Sequence, residues 1–180
     1  MTAICIFCGS RDGARPEYKQ AAMELVEELV KRKITLIYGG ANSGLMGTIA
    51  NHALKLGGKV IGVIPHSFER EKAHTGLTEL HYVDDMHDRK KMLADLADGF
   101  IALPGGTGTM DELFQEIALR QTGYHNKTCG LLNTANYYDS LVAFLNQAAN
   151  EGFLDNQWQQ HLVISRSPSE LLSQLLDPLP

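Results

Sequence analysis

Pro104-Gly105-Gly106-Thr107-Gly108-Thr109, followed at once by Met110, Asp111 and Glu112, is the stretch richest in chemical possibility. Glycine lets an anion come close to backbone N–H groups, and a helix start adds partial positive charge, so a strand, a glycine-rich loop and a helix in succession make a phosphate site. Gly105, Gly106 and Gly108, with the hydroxyls of Thr107 and Thr109, are therefore candidate phosphate ligands. Asp111 and Glu112 are expected in the first turn of the helix that follows, with at least one carboxylate projecting into the same pocket. Acidic residues there also offset the helix dipole, an account that competes for Asp111, while for Glu112 the chemical role is preferred. Two other glycine loops, Gly9-Ser10 and the run Gly39-Gly40 to Gly47, are expected at the same end of the fold.

A second cluster, Met86-His87-Asp88-Arg89-Lys90-Lys91-Met92, opens a predicted helix. Cations at a helix start oppose the macrodipole unless an anion compensates them, so Arg89 hints at a ligand phosphate or an acidic side chain. Lys91 reads better as part of a solvated face.

Other signatures fail on inspection. Gly39 to Gly44 has the outer spacing of a P-loop, but Leu45 and Met46 stand where Lys and Ser or Thr would hold phosphate and magnesium. The first turn, Gly9-Ser10-Arg11-Asp12-Gly13, lacks the G-x-G-x-x-G spacing of a dinucleotide site. Cys5 and Cys8 match C-x-x-C, yet they lie within a strand, where residues three apart point to opposite faces, so buried structural cysteines are expected. Seven histidines show no ligand spacing, and neither a metal nor another cofactor is expected.

The elements that would position these residues alternate strictly. Apolar runs at Ala3 to Cys8, Ile34 to Tyr38, Val60 to Ile64, Phe100 to Leu103, Cys129 to Leu132 and Leu162 to Ser165 read as strands, and Glu79 to Val83 as a further short one. Helical spacing marks Pro16 to Arg32, Gly44 to Leu56, Met86 to Ala97, Met110 to Gln121, Tyr138 to Asn150 and Ser169 to Leu176, with a long polar loop from Pro65 to Thr78. Such alternation predicts a Rossmann-like α/β fold, a doubly wound parallel sheet with helices on both faces. Ligands of such sheets bind beyond the carboxyl ends of the strands, which is where the three glycine loops fall.

Composition sets the outer bounds. A chain of 180 residues, 44% apolar and 21% charged, predicts one globular domain spanning residues 1–180. Sixteen Lys and Arg against 21 Asp and Glu give a net charge of -5 without a basic block, which disfavours a nucleic-acid polymer or an anionic membrane as partner. No apolar stretch reaches the length of a membrane span, Ala3 to Cys8 is too short for a signal peptide, and three cysteines make no disulfide framework. The expected compartment is the cytoplasm.

Together, PGGTGTMDE (Pro104 to Glu112) and MHDRKKM (Met86 to Met92) resemble the LONELY GUY family of cytokinin riboside 5'-monophosphate phosphoribohydrolases, long labelled lysine decarboxylase-like. The family patterns PGGxGTxxE and MxxRK are both matched, and CGS (Cys8 to Ser10), YGG (Tyr38 to Gly40) and GLMG (Gly44 to Gly47) stand in the same order and spacing over about residues 3 to 135. The resemblance implies hydrolysis of the N-glycosidic bond of a purine riboside 5'-monophosphate, with N6-modified adenine or adenine as base, to free base and ribose 5-phosphate. It gives Glu112 the place beneath the sugar, where a carboxylate stabilises an oxocarbenium-like transition state and orients or deprotonates water, with Asp111 assisting. Arg89 would bind phosphate or polarise the departing base, Glu71 matches a position that contacts substrate, Lys90 completes the basic pair, and Gly9 and Ser10 would line the nucleotide site.

A homodimer is implied by the same resemblance. Ala118 and Leu119 stand where the family usually carries Thr-Trp, so the base or phosphate pocket is expected to differ. The decarboxylase label has no support in the residues, which offer no recognisable Schiff-base lysine and pyridine partner. The alternative is a non-catalytic carrier of a nucleotide or of molybdenum cofactor, which has no need of a carboxylate opposite the sugar.

Overall fold

Strand β1, Ala3–Phe7, is buried along its whole length. Its alternate side chains enter two cores, Ile4, Ile6 and the following Cys8 on one side, Ala3, Cys5 and Phe7 on the other. A strand apolar on both faces needs a layer on each, and helices supply them. The computed structural model describes residues 2–68, 73–155 and 157–176. In it β1 is followed by α1 (Pro16–Lys31), β2 (Thr35–Tyr38), α2 (Gly44–Lys55), β3 (Val60–Pro65), β4 (Glu79–Val83) and α3 (Met86–Leu96). The second half runs β5 (Gly99–Ala102), α4 (Thr107–Gln121), β6 (Thr128–Leu132), α5 (Asp139–Asn150), β7 (Leu162–Ser165) and α6 (Pro168–Leu176).

All seven strands are parallel, in the order β4-β3-β2-β1-β5-β6-β7. This is the doubly wound Rossmann-like sheet that the alternation predicts. Helices α1, α2 and α6 bury Leu25, Leu29, Leu45, Ile49, Leu171 and Leu175 on one face, while Leu93 of α3, Leu113 of α4 and Leu145 of α5 pack on the other. Winding proceeds outward from β1 to β4, and α3 then returns the chain to β5 on the other side of β1. The loops after β1 and β5 therefore diverge, leaving a crevice at this switch point.

Two boundaries differ from the sequence reading in ways that matter. Pro65 belongs to β3, paired with Val83 of the edge strand β4, where its missing N–H costs no ladder bond because His66 N–H donates to Val83 O instead. Helix α4 begins at Thr107 rather than Met110. Thr107-Gly108-Thr109 has no apolar period to mark it, yet the Met110 N–H already donates to Gly106 O at 3.1 Å, so the glycine-rich loop itself winds into the first turn.

Candidate active site

The crevice is a cleft of about 620 Å³ at the carboxyl ends of β1 and β5. Its floor is stitched by backbone, with Gly9 N–H donating to Pro104 O (3.1 Å) and Leu45 N–H to Gly9 O (3.1 Å), so all three glycine loops meet there. Gly9, Ser10, Gly39, Gly105, Gly106, Thr107, Gly108 and Thr109 all border it, as do Arg89, Asp111 and Glu112. At the start of α4, Gly106 caps without any side-chain hydrogen bond, and the N–H groups of Thr107, Gly108 and Thr109 have no carbonyl one turn back. These are the donors an anion would use. Gly105 is confined by close packing, since a Cβ there would overlap the Thr109 side chain.

Because α4 starts early, neither Asp111 nor Glu112 lies in its first turn, contrary to expectation. Offsetting the helix dipole is a first-turn effect, so it explains neither residue. Glu112 instead turns inward, its side chain 13% exposed, and accepts a 2.5 Å hydrogen bond from Nη1 of Arg89 on α3. Arg89 is itself buried and donates Nε–H to Val63 O at 3.1 Å. A Cβ on Gly39 would overlap the guanidinium, so Gly39 admits Arg89 to the cleft. Burial raises the Glu112 carboxyl above its ordinary range against the pull of Arg89.

The charge at the start of α3 is resolved by acidic partners. Asp85 caps the helix, accepting N–H bonds from His87 and Asp88, while Arg89 pairs with Glu112, Lys90 with Asp111 (3.1 Å) and Lys91 with Asp95 (2.8 Å) on the open surface. Lys90 and Gly40 do not border the cleft. Gly40, at φ 75°, serves instead to turn the chain against Val63 and Ile64 of β3. Glu71 lies outside the described residues. Cys5 and Cys8 sit in opposite cores as reduced thiols, and among the described residues no group of three His, Cys, Asp or Glu is placed to hold a metal.

One wall escaped the sequence reading. Tyr137 borders the cleft, donates its hydroxyl to Gly105 O at 2.5 Å, and meets Tyr18 and Tyr138 edge-on. Tyr138, expected to open a helix, donates to Leu103 O at 2.6 Å from the core and precedes α5. Ala135 and Asn136, both left-handed at φ 52° and 63°, turn this pair towards the Gly105 loop. The tyrosine pair itself, following a strand at the ligand-binding edge, was the available signal.

Fold and cleft together define an α/β protein whose sheet-end cleft sets the free N–H groups of a helix start beside a buried carboxylate. A family model described as "Possible lysine decarboxylase" matches residues 46–175. A cytokinin riboside 5'-monophosphate phosphoribohydrolase of Rhodococcoides fascians is 43% identical over 98% of this chain and 90% of its own length, and one of Arabidopsis thaliana is 46% identical over 98% and 84%. The chain thus belongs to the LONELY GUY family of such phosphoribohydrolases. Among solved structures, the molybdenum cofactor binding protein of Rippkaea orientalis superposes with a TM-score of 0.73 over 98% of both chains at 21% identity, a likeness of fold.

Proposed function

We propose that the chain hydrolyses the N-glycosidic bond of a purine riboside 5'-monophosphate, with N6-modified adenine (cytokinin) or adenine as the base, releasing free base and ribose 5-phosphate. Kinship supports the reaction, and the observation that carries it to particular atoms is the buried Glu112–Arg89 pair, one helical turn beyond the unpaired N–H groups of α4. In this reading those N–H groups and the Thr107 and Thr109 hydroxyls bind the 5'-phosphate, and Gly9 and Ser10 border the nucleotide.

As the C1'–N bond breaks, its electron pair leaves with the base, which takes up a proton from solvent, and positive charge grows on the ribose. Glu112 stabilises that charge and accepts a proton from the water whose oxygen bonds to C1'. Arg89 holds Glu112 in place and keeps its ionised form accessible inside the cleft. Asp111 and Lys90 pair at the rim. We further propose a cytoplasmic homodimer, the state to be read by sedimentation equilibrium.

The carrier reading draws on the likeness of fold to a molybdenum cofactor binding protein. It leaves the inward carboxylate without a purpose. Purified protein incubated with AMP, GMP and N6-isopentenyladenosine monophosphate, beside Glu112→Gln, separates the two. Base and ribose 5-phosphate released by the wild type and lost in the variant is the expected result; no release with nucleotide binding intact moves the assignment to the carrier.

A further inference from the structure

Glu116 on α4, 2% exposed, is a buried side chain for which the reaction has no direct use. It stands one helical turn past Glu112, and residues four apart share a helix face, so whatever holds Glu116 inward holds Glu112 inward as well. Apolar packing gives that face limited hold. Of the three α4 side chains that are buried, Thr109, Leu113 and Glu116, only Leu113 is apolar, with Met110, Phe114 and Ile117 half-buried beside it.

Polar contacts supply the rest. His125, in the loop after α4, places Nε2 3.1 Å from Glu116 Oε2. Its Nδ1 accepts the Lys127 N–H at 3.2 Å, which leaves Nε2 as the nitrogen that donates to Glu116. Gln115 Nε2 donates to the other carboxylate oxygen at 3.3 Å, and the imidazole packs on Phe100 of β5, ring centroids 5.8 Å apart.

The same loop reaches the helix that carries Arg89. Lys127 Nζ donates to Ala94 O at 2.7 Å, in the last turn of α3, a turn with no cation of its own. Arg120 Nη1, one turn beyond Glu116 on α4, donates to Lys127 O at 3.1 Å. Helices α3 and α4 are thus joined twice, at the cleft by Arg89–Glu112 and Lys90–Asp111, and further from it through His125 and Lys127. Only about 7.5 Å of helix separates Arg89 from Ala94, and about 6 Å separates Glu112 from Glu116, so a shift at one joint is passed to the other.

We infer that Glu116, His125 and Lys127 are positioning residues, a strap from α4 to α3 that fixes the rotation of α4 and its spacing from α3, and so sets the Glu112 carboxylate against Arg89 and the sugar. None of the three borders the cleft. The loop before α4 is held separately, by the Tyr137 hydroxyl on Gly105 O and by Gly9 N–H on Pro104 O, so the strap governs bond cleavage more than binding. The kinetic part of this inference rests on the hydrolase reading, and the mechanical part does not.

The test is steady-state hydrolysis of N6-isopentenyladenosine monophosphate by the full chain and by His125→Phe, which keeps a ring on Phe100 and removes the donor to Glu116, each made with Glu112 intact and as Glu112→Gln. With Glu112 intact, His125→Phe should lower kcat about tenfold or more and leave KM within about twofold, because a small misplacement of the carboxylate is felt in the transition state. In the Glu112→Gln background it should leave the residual kcat unmoved, there being no carboxylate to misplace. An unchanged kcat with Glu112 intact, a rise in KM at unchanged kcat, or an equal loss in both backgrounds, the mark of a merely destabilised fold, overturns the inference.

Should His125→Phe fail to fold, Lys127→Met cuts the strap at its α3 end and is read in the same way, with the same outcomes deciding. If the wild type releases no base, the hydrolase reading fails alone, and urea denaturation still tests the strap. The fall in midpoint caused by His125→Phe should then be smaller once Arg89→Met and Glu112→Gln have removed the joint at the cleft; equal falls overturn it.

Discussion

Glu112 combines three properties that rarely coincide in a surface acid: an inward side chain, a single guanidinium partner and a carboxyl raised by burial. Glu112→Gln keeps the shape and removes the base, so kcat should fall by about 10²- to 10⁴-fold, read as base release by chromatography. The ionised form is the active one, and a raised carboxyl holds its proton to higher pH than an ordinary one. The acid limb of kcat/KM should accordingly lie above the usual carboxylate range and vanish in the variant's residual activity. Removing Arg89 alone leaves a buried carboxylate uncompensated. Arg89→Met should therefore destabilise by about 3 kcal/mol or more, and adding Glu112→Gln should restore part of that loss, a coupling measurable by urea denaturation. Glu112 and Arg89 were both legible as candidates from the sequence, Glu112 as a carboxylate directly after the glycine-rich loop and Arg89 as a cation set against the dipole of a predicted helix start. Their contact was not, because it joins α3 to α4 across the carboxyl end of the sheet, 23 residues apart in the chain.

Among the elements, the glycine-rich loop before α4 shows how local geometry is imposed from outside. Gly105 is held by the Tyr137 hydroxyl, and Tyr137 is presented by two consecutive left-handed residues. Left-handed backbone costs a non-glycine residue roughly 1–2 kcal/mol, so Ala135→Gly should stabilise the fold by up to about 1 kcal/mol in equilibrium denaturation once the entropy of the added glycine is offset. Tyr137→Phe retains the ring and loses the grip on Gly105; KM should rise several-fold, by about the worth of one hydrogen bond, with little change in kcat. Helix α4 also teaches a general point about apolar periodicity. Periodicity sees a helix only where one face is buried, so Thr107-Gly108-Thr109 passed for loop although they form its first turn. That shift moved the carboxylates one turn inward and removed the dipole account of them.

For the whole molecule, the two cores keep the cysteines out of solvent, Cys8 on one side of the sheet and Cys5 and Cys129 on the other. Burial pushes the Cys129 thiol up to about 12 and raises Cys5 and Cys8 as well. The folded protein should leave all three unmodified by a disulfide reagent at neutral pH, and unfolding in guanidinium should expose three thiols at once, followed by absorbance. The sequence by itself determined the strand and helix alternation, the parallel sheet, the end at which ligands bind and the motifs that mark the family. All of these depend on side-chain type and short-range spacing, because burial on one or both faces of an element is written in its apolar period. Tertiary structure alone decided that Arg89 turns to Glu112, that Gly39 makes room for it, that Gly40 and Lys90 stand off the cleft, and that Tyr137 braces its wall. Those relations join residues on different loops of one sheet end, and they come into being only when crossover connections bring the carboxyl ends of distant strands side by side.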